Sequence, residues 1–147
     1  MNKASTISRI LLGTVFALAG LSGLIMLFFL SPPPAPAGLA GTFQDVFFKS
    51  HWVAFVDGVE FATGVLLLAN RYVPLALTAL AGVISNIIVF HVTMMPAGLP
   101  VALFVLVLWT VTALPLRSHF APLFVARAAP SEERAPVSSS RLEPIGA

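Results

Sequence analysis

DGVEFATGVLLLANRYVPLALTALAGVISNIIVFH, residues 57–91, decides how the whole chain reads. Two apolar runs flank the turn Asn70-Arg71-Tyr72, and Asp57, Glu60, Asn86 and His91 sit inside those runs. Extended to their natural ends at Trp52 and Thr93, the runs have 18 and 21 residues, about the length of a helix that crosses a bilayer at 1.5 Å per residue against roughly 30 Å of hydrocarbon. Polar side chains in such a segment are expensive, so each of the four requires either a packing partner or a functional role.

Composition extends this reading to the chain as a whole. Of 147 residues, 58% are hydrophobic and only 10% charged, and the mean hydropathy is +0.96. A soluble domain of this size could not bury so much apolar surface, which leaves lipid as the solvent for it. The chain has no cysteine, which excludes disulfides, thiolate metal ligands, c-type haem attachment and thiol redox chemistry. The net charge of +2 comes from Lys and Arg scattered singly, without the clustered basic face of a nucleic-acid binder.

Toward the N-terminus, Ile10 to Leu30 is an uncharged run of 21 residues. The small residues Ala35-Pro36-Ala37 resemble a signal-peptidase site, but this run exceeds the ~7–15 residues of a signal peptide and reads as a first span. Gly13, Gly20 and Gly23 lie along it with Ser22, and small residues allow a neighbouring helix to approach closely. Ser31 to Thr42 is proline-rich and cannot continue the helix. Phe43 to Trp52 mixes aromatics with Gln44, Asp45, Lys49 and His51, which predicts a short interfacial helix or loop.

Toward the C-terminus, Met94 to Gly98 is a short turn, Leu99 to Leu116 a fourth apolar run, and Pro130 to Ala147 has the composition of a disordered segment. The expectation is therefore an all-α, four-helix transmembrane bundle over residues 1–117. Its helices span about 8–30, 52–69, 73–93 and 99–116, followed by a largely disordered cytoplasmic tail over 118–147. With both termini in the cytoplasm every Lys and Arg except Lys49 falls inside, and Arg71 marks the inner turn.

That orientation assigns depths. Asp57 and Glu60 lie about 7 Å and 12 Å below the outer boundary, and His91 and Asn86 about 3 Å and 10 Å. Asp57 and Glu60 share a helix face, so the sequence predicts that Glu60 meets Asn86 and Asp57 approaches His91, with Ser22 at a similar level. Four readings remain open: an interhelical hydrogen bond that only fixes the bundle, a pocket for a quinone or other lipophile, a proton or substrate path, and a metal site using His51, Asp57, Glu60 and His91. No ligand-spacing motif supports the metal.

The block E-x-x-x-G-x-L-L-L-x-N-R-Y-V-P-L-A-L from Glu60, followed by N-I-I-V-F-H ending at His91, resembles the DoxX-like family of small bacterial membrane proteins. The likeness covers residues 7–117 and includes Gly64, Asn70, Arg71, Pro74 and the turn Pro96-Ala97-Gly98. One departure stands out: the family often carries Lys three residues before the Glu, where this chain has Asp57, a like-charge neighbour to be balanced by a proton or by His91. The resemblance implies a multi-pass protein of the bacterial cytoplasmic membrane. Some relatives are linked to thiosulfate:quinone oxidoreduction and redox-stress complexes. Without cysteine, this chain would serve such a complex as a quinone-binding or anchoring subunit beside a redox partner.

Overall fold

A computed structural model describes residues 3–30 and 34–126 of the chain. The segment expected to be disordered, Pro130 to Ala147, lies outside them. Every regular element among the described residues is helical: α1 (Lys3–Phe29), α2 (Leu39–Lys49), α3 (Trp52–Leu68), α4 (Val73–Thr93), α5 (Leu99–Ala113) and α6 (Arg117–Phe120). Short 3-10 segments at Pro96–Gly98, Leu114–Leu116 and Ala121–Phe124 join α5 and α6 into one path from Pro96 to Phe124.

Three of these stretches are long and apolar enough to cross a membrane: α1, α4 and Pro96–Phe124. A fourth is obtained if α2 and α3, bent by 86° at the Ser50-His51 break, count as one span. Only 28% of the most apolar window of each of the three is buried inside the protein. Most of the hydrophobic surface therefore faces outward, the reverse of a water-soluble fold and the arrangement expected where lipid is the solvent.

α1 begins at Lys3, about a turn and a half before the start expected from the sequence. Ser5, Ser8 and Arg9 are buried there. Ser8 Oγ donates to the Leu108 carbonyl of α5 at 2.9 Å, and the Arg9 guanidinium donates to the Leu67 carbonyl of α3. The Ser8 hydroxyl and one arm of the Arg9 guanidinium, costly to leave bare in lipid, are thus satisfied by neighbouring backbone. The helical path also continues past Leu116, where an irregular tail was expected, and Phe120 packs partly buried against the core.

The central turn closes by local geometry. Asn70 adopts the left-handed conformation at φ 54°. Its amide bonds to the Leu67 carbonyl at 3.2 Å and that of Arg71 to the Leu66 carbonyl at 3.0 Å. This is the Schellman pattern, with Asn in the position usually held by glycine. α4 then starts with Pro74 in its first turn, where a missing N–H costs nothing.

α1 packs against α3 and α5, and α4 packs against the same two. The closest approach is between α1 and α3. A Cβ placed on Gly20 would overlap the backbone of Asp57 and Phe61, and one on Gly64 would overlap the backbone of Ala17. The glycines are required because backbone meets backbone. The apolar core, with Leu12, Phe16, Leu67, Leu77, Leu80 and Leu108 almost fully enclosed, gathers at the end of the protein that carries the Arg71 turn. Trp109 Nε1 donates to the Leu77 carbonyl at 2.8 Å and ties α5 to α4 within it.

Candidate functional site

The α3–α4 hairpin is held shut by this core near Arg71 and opens toward its other end. There a cavity of about 740 Å³ lies between α2, α3 and α4. Asp57, Glu60, Asn86 and His91 all line it. The periodicity of α3 places the two acids on its inner face, where Asp57 and Glu60 are both buried at 9% and 8% exposure. Asn86 and His91 reach the cavity from α4, Asn86 exposed and His91 half-buried.

The direct contacts expected from depth matching are absent. Among the described residues no hydrogen bond joins Glu60 to Asn86 or Asp57 to His91; the cavity that all four line lies between the two helices. Instead His91 turns toward the end of its own helix, with its Nδ1–H donating to the Met95 carbonyl at 3.0 Å. A carbonyl can only accept, so Nδ1 carries the proton and, in the neutral ring, Nε2 is the acceptor. Gly98 makes room for that orientation, since a Cβ there would overlap the imidazole.

The acids have no such partner. Asp57 Oδ2 is buried without a hydrogen bond, and its carboxyl packs against Gly23 of α1. The carboxyl of Glu60 likewise has no hydrogen bond among the described residues. The one ion pair among them is elsewhere, Lys49 with Asp45 at 2.7 Å on the exposed face of α2.

α2 shapes the mouth of the cavity. His51, left-handed at φ 59°, ends α2 and sends the chain into α3 at the 86° bend. Phe43 and Phe47 stack at 5.5 Å between ring centroids, and Phe43 also meets Phe90 of α4 at 5.3 Å. With Trp52 and Phe55 these rings give the cavity an aromatic side, and aliphatic residues such as Val56, Val83 and Ile87 complete its walls.

Ser22 and Arg71 fall outside this grouping. Ser22 is exposed, and its hydroxyl donates to the Ala19 carbonyl of its own helix at 2.8 Å. Arg71 is exposed on the turn at the far end of the hairpin. No three His, Asp or Glu side chains among the described residues stand close enough to hold a metal ion, so His51, Asp57, Glu60 and His91 form no metal centre here. A second hollow of about 400 Å³ lies near the opposite end, between Trp109, Arg117, Phe120 and Phe124, with Arg117 as its one charged group.

Sequence reasoning did not assign Phe43 and Phe47 to the site, although their i, i+4 spacing in an interfacial segment puts both on one helix face. Gly98 and Gly23 gave no separate signal, because their role is to leave space for a side chain on another segment. No family model, curated protein or solved structure matches the chain.

Proposed function

We propose that the chain is a DoxX-like, four-helix transmembrane bundle of the bacterial cytoplasmic membrane. Both termini are inside, and the α2–α3–α4 cavity binds a small lipophilic molecule. One observation carries the binding reading: a cavity of about 740 Å³ that combines an aromatic side with four polar side chains on two helices. A large, mostly apolar cavity with a few convergent polar groups is the usual form of a small-molecule site. A pair of helices tied by a structural hydrogen bond would join Glu60 to Asn86, and among the described residues no such bond is present.

Within this reading α2 lies across the outer mouth, nearly perpendicular to α3, at the level where aromatic side chains favour the membrane interface. A quinone is one lipophile of suitable chemistry, and the protein would then act as a quinone-site or anchoring subunit for a membrane redox partner.

The test is ligand quenching of Trp52, which lines the cavity, in a Trp109→Phe background of the purified full-length protein. Decylubiquinone and tetraphenylphosphonium serve as neutral and charged probes. Gly82 also lines the cavity, and a Cβ there meets no atom within 4 Å, so Gly82→Leu adds bulk at a position with open space beside its backbone. Saturable quenching by at least one probe, weakened by Gly82→Leu, is the expected result. Absence of saturable quenching by either probe, or quenching indifferent to Gly82→Leu, removes the lipophile site.

A further inference from the structure

We infer that the ligand of this cavity is a lipophilic organic cation, an ammonium- or phosphonium-type charge carried on an apolar or aromatic body. This rests on the reading of the cavity as a lipophile site and names the class of molecule that fills it. Glu60 and Asp57 line the cavity side by side on one helix face, each more than nine-tenths buried. Neither is in an ion pair among the described residues, and no Lys or Arg lines the cavity. Buried carboxyl groups are normally matched by a cation or by several hydrogen bonds, and here the protein supplies neither.

The remaining polar atoms point the same way. His91 has committed its Nδ1–H to the Met95 carbonyl, so in its neutral form the ring's other nitrogen is an acceptor. Asn86, which can donate as well as accept, has no hydrogen-bond partner among the described residues. The site is therefore rich in acceptors and holds two carboxyl groups that a bound cation would keep ionised, complementary to a ligand that brings positive charge. Its walls agree, because the faces of Phe and Trp rings attract a cation that has lost its water. A quinone offers carbonyl acceptors alone and has nothing to pair with an ionised acid.

Isothermal titration of the purified full-length protein decides the point with three probes: tetraphenylphosphonium, the anion of the same shape tetraphenylborate, and neutral decylubiquinone. Tetraphenylphosphonium is expected to bind saturably and tetraphenylborate not to. Glu60→Gln and Asp57→Asn, which keep side-chain size, should each weaken the cation by ~10-fold and leave any decylubiquinone binding within about two-fold. Equal affinity for the two ions, preference for the anion, or cation binding unchanged in Glu60→Gln would overturn the inference. The comparison of the two ions on the unaltered chain needs no variant to fold. Binding of decylubiquinone without tetraphenylphosphonium defeats the charge assignment but preserves the lipophile site, whereas silence with all three probes defeats both.

Discussion

Gly23 of α1 lies directly against the carboxyl group of Asp57 on α3, so that a Cβ at position 23 would overlap Oδ2. One turn earlier, Gly20 faces the backbone of Asp57 and Phe61 instead. The same helix contact thus has a part that can yield, a side-chain carboxyl, and a part that cannot. Two residues of α1 therefore have different jobs: Gly20 sets how close the helices come, and Gly23 sets where a cavity acid sits.

Substitution by alanine separates these jobs. Overpacking costs ~1–3 kcal/mol, against ~1 kcal/mol recovered when alanine replaces glycine within a helix. Gly20→Ala and Gly64→Ala, which press on backbone, are expected to lower stability by up to about 2 kcal/mol net. Gly23→Ala should cost less, because the Asp57 carboxyl can rotate, and should alter ligand affinity in the cavity instead. Thermal melts of the detergent-solubilised protein make the comparison, and equal losses at Gly20 and Gly23 would contradict it.

The hairpin turn gives a second expectation. Asn70 sits at φ 54°, a conformation that glycine adopts freely and alanine does not. Asn70→Gly is expected to preserve stability, and Asn70→Ala to reduce it by about 1 kcal/mol, in the same melting experiment. If the alanine variant melts with the parent, the turn does not hold the left-handed geometry.

Trp109 links α5 to α4 through its bond to the Leu77 carbonyl. Trp109→Phe keeps the apolar ring and removes the donor, for an expected loss of about 0.6–1.5 kcal/mol. Because Trp109 lies in the closed half of the protein, probe binding in the cavity should be unchanged, which calorimetric titration of the variant would verify.

The membrane orientation is open to cysteine labelling, since the chain contains no cysteine of its own. Leu39, 71% exposed at the start of α2, and Tyr72, 69% exposed in the central turn, are suitable single sites. An impermeant thiol reagent added to intact cells should modify Leu39→Cys and spare Tyr72→Cys until the cells are opened. The opposite pattern would invert the topology proposed above.

What the sequence by itself determined is the material and the period of the fold. Apolar runs of about the length a bilayer requires dictate helices, because backbone groups in lipid must be satisfied within their own segment. The prolines of residues 32–36 and the Asn70-Arg71-Tyr72 turn dictate where those helices stop. The three-residue spacing of Asp57 and Glu60 already put both acids on one face. Tertiary structure alone decided what that face meets. Depth matching treats an antiparallel pair as uniformly spaced, and so it predicted contact from Glu60 to Asn86 and from Asp57 to His91. The packing of Leu67, Leu77 and Leu80 closes the hairpin at one end only, and the bend at His51 carries the α2 aromatics to the open end. The burial of Arg9 was hidden for the same reason: its hydrogen-bond partner is a backbone carbonyl 58 residues away, and a backbone carbonyl has no residue-specific signal in sequence. Long-range backbone contacts and the spaces that glycines keep open are made by the fold, so the cavity, and the unpaired acids within it, became visible only there.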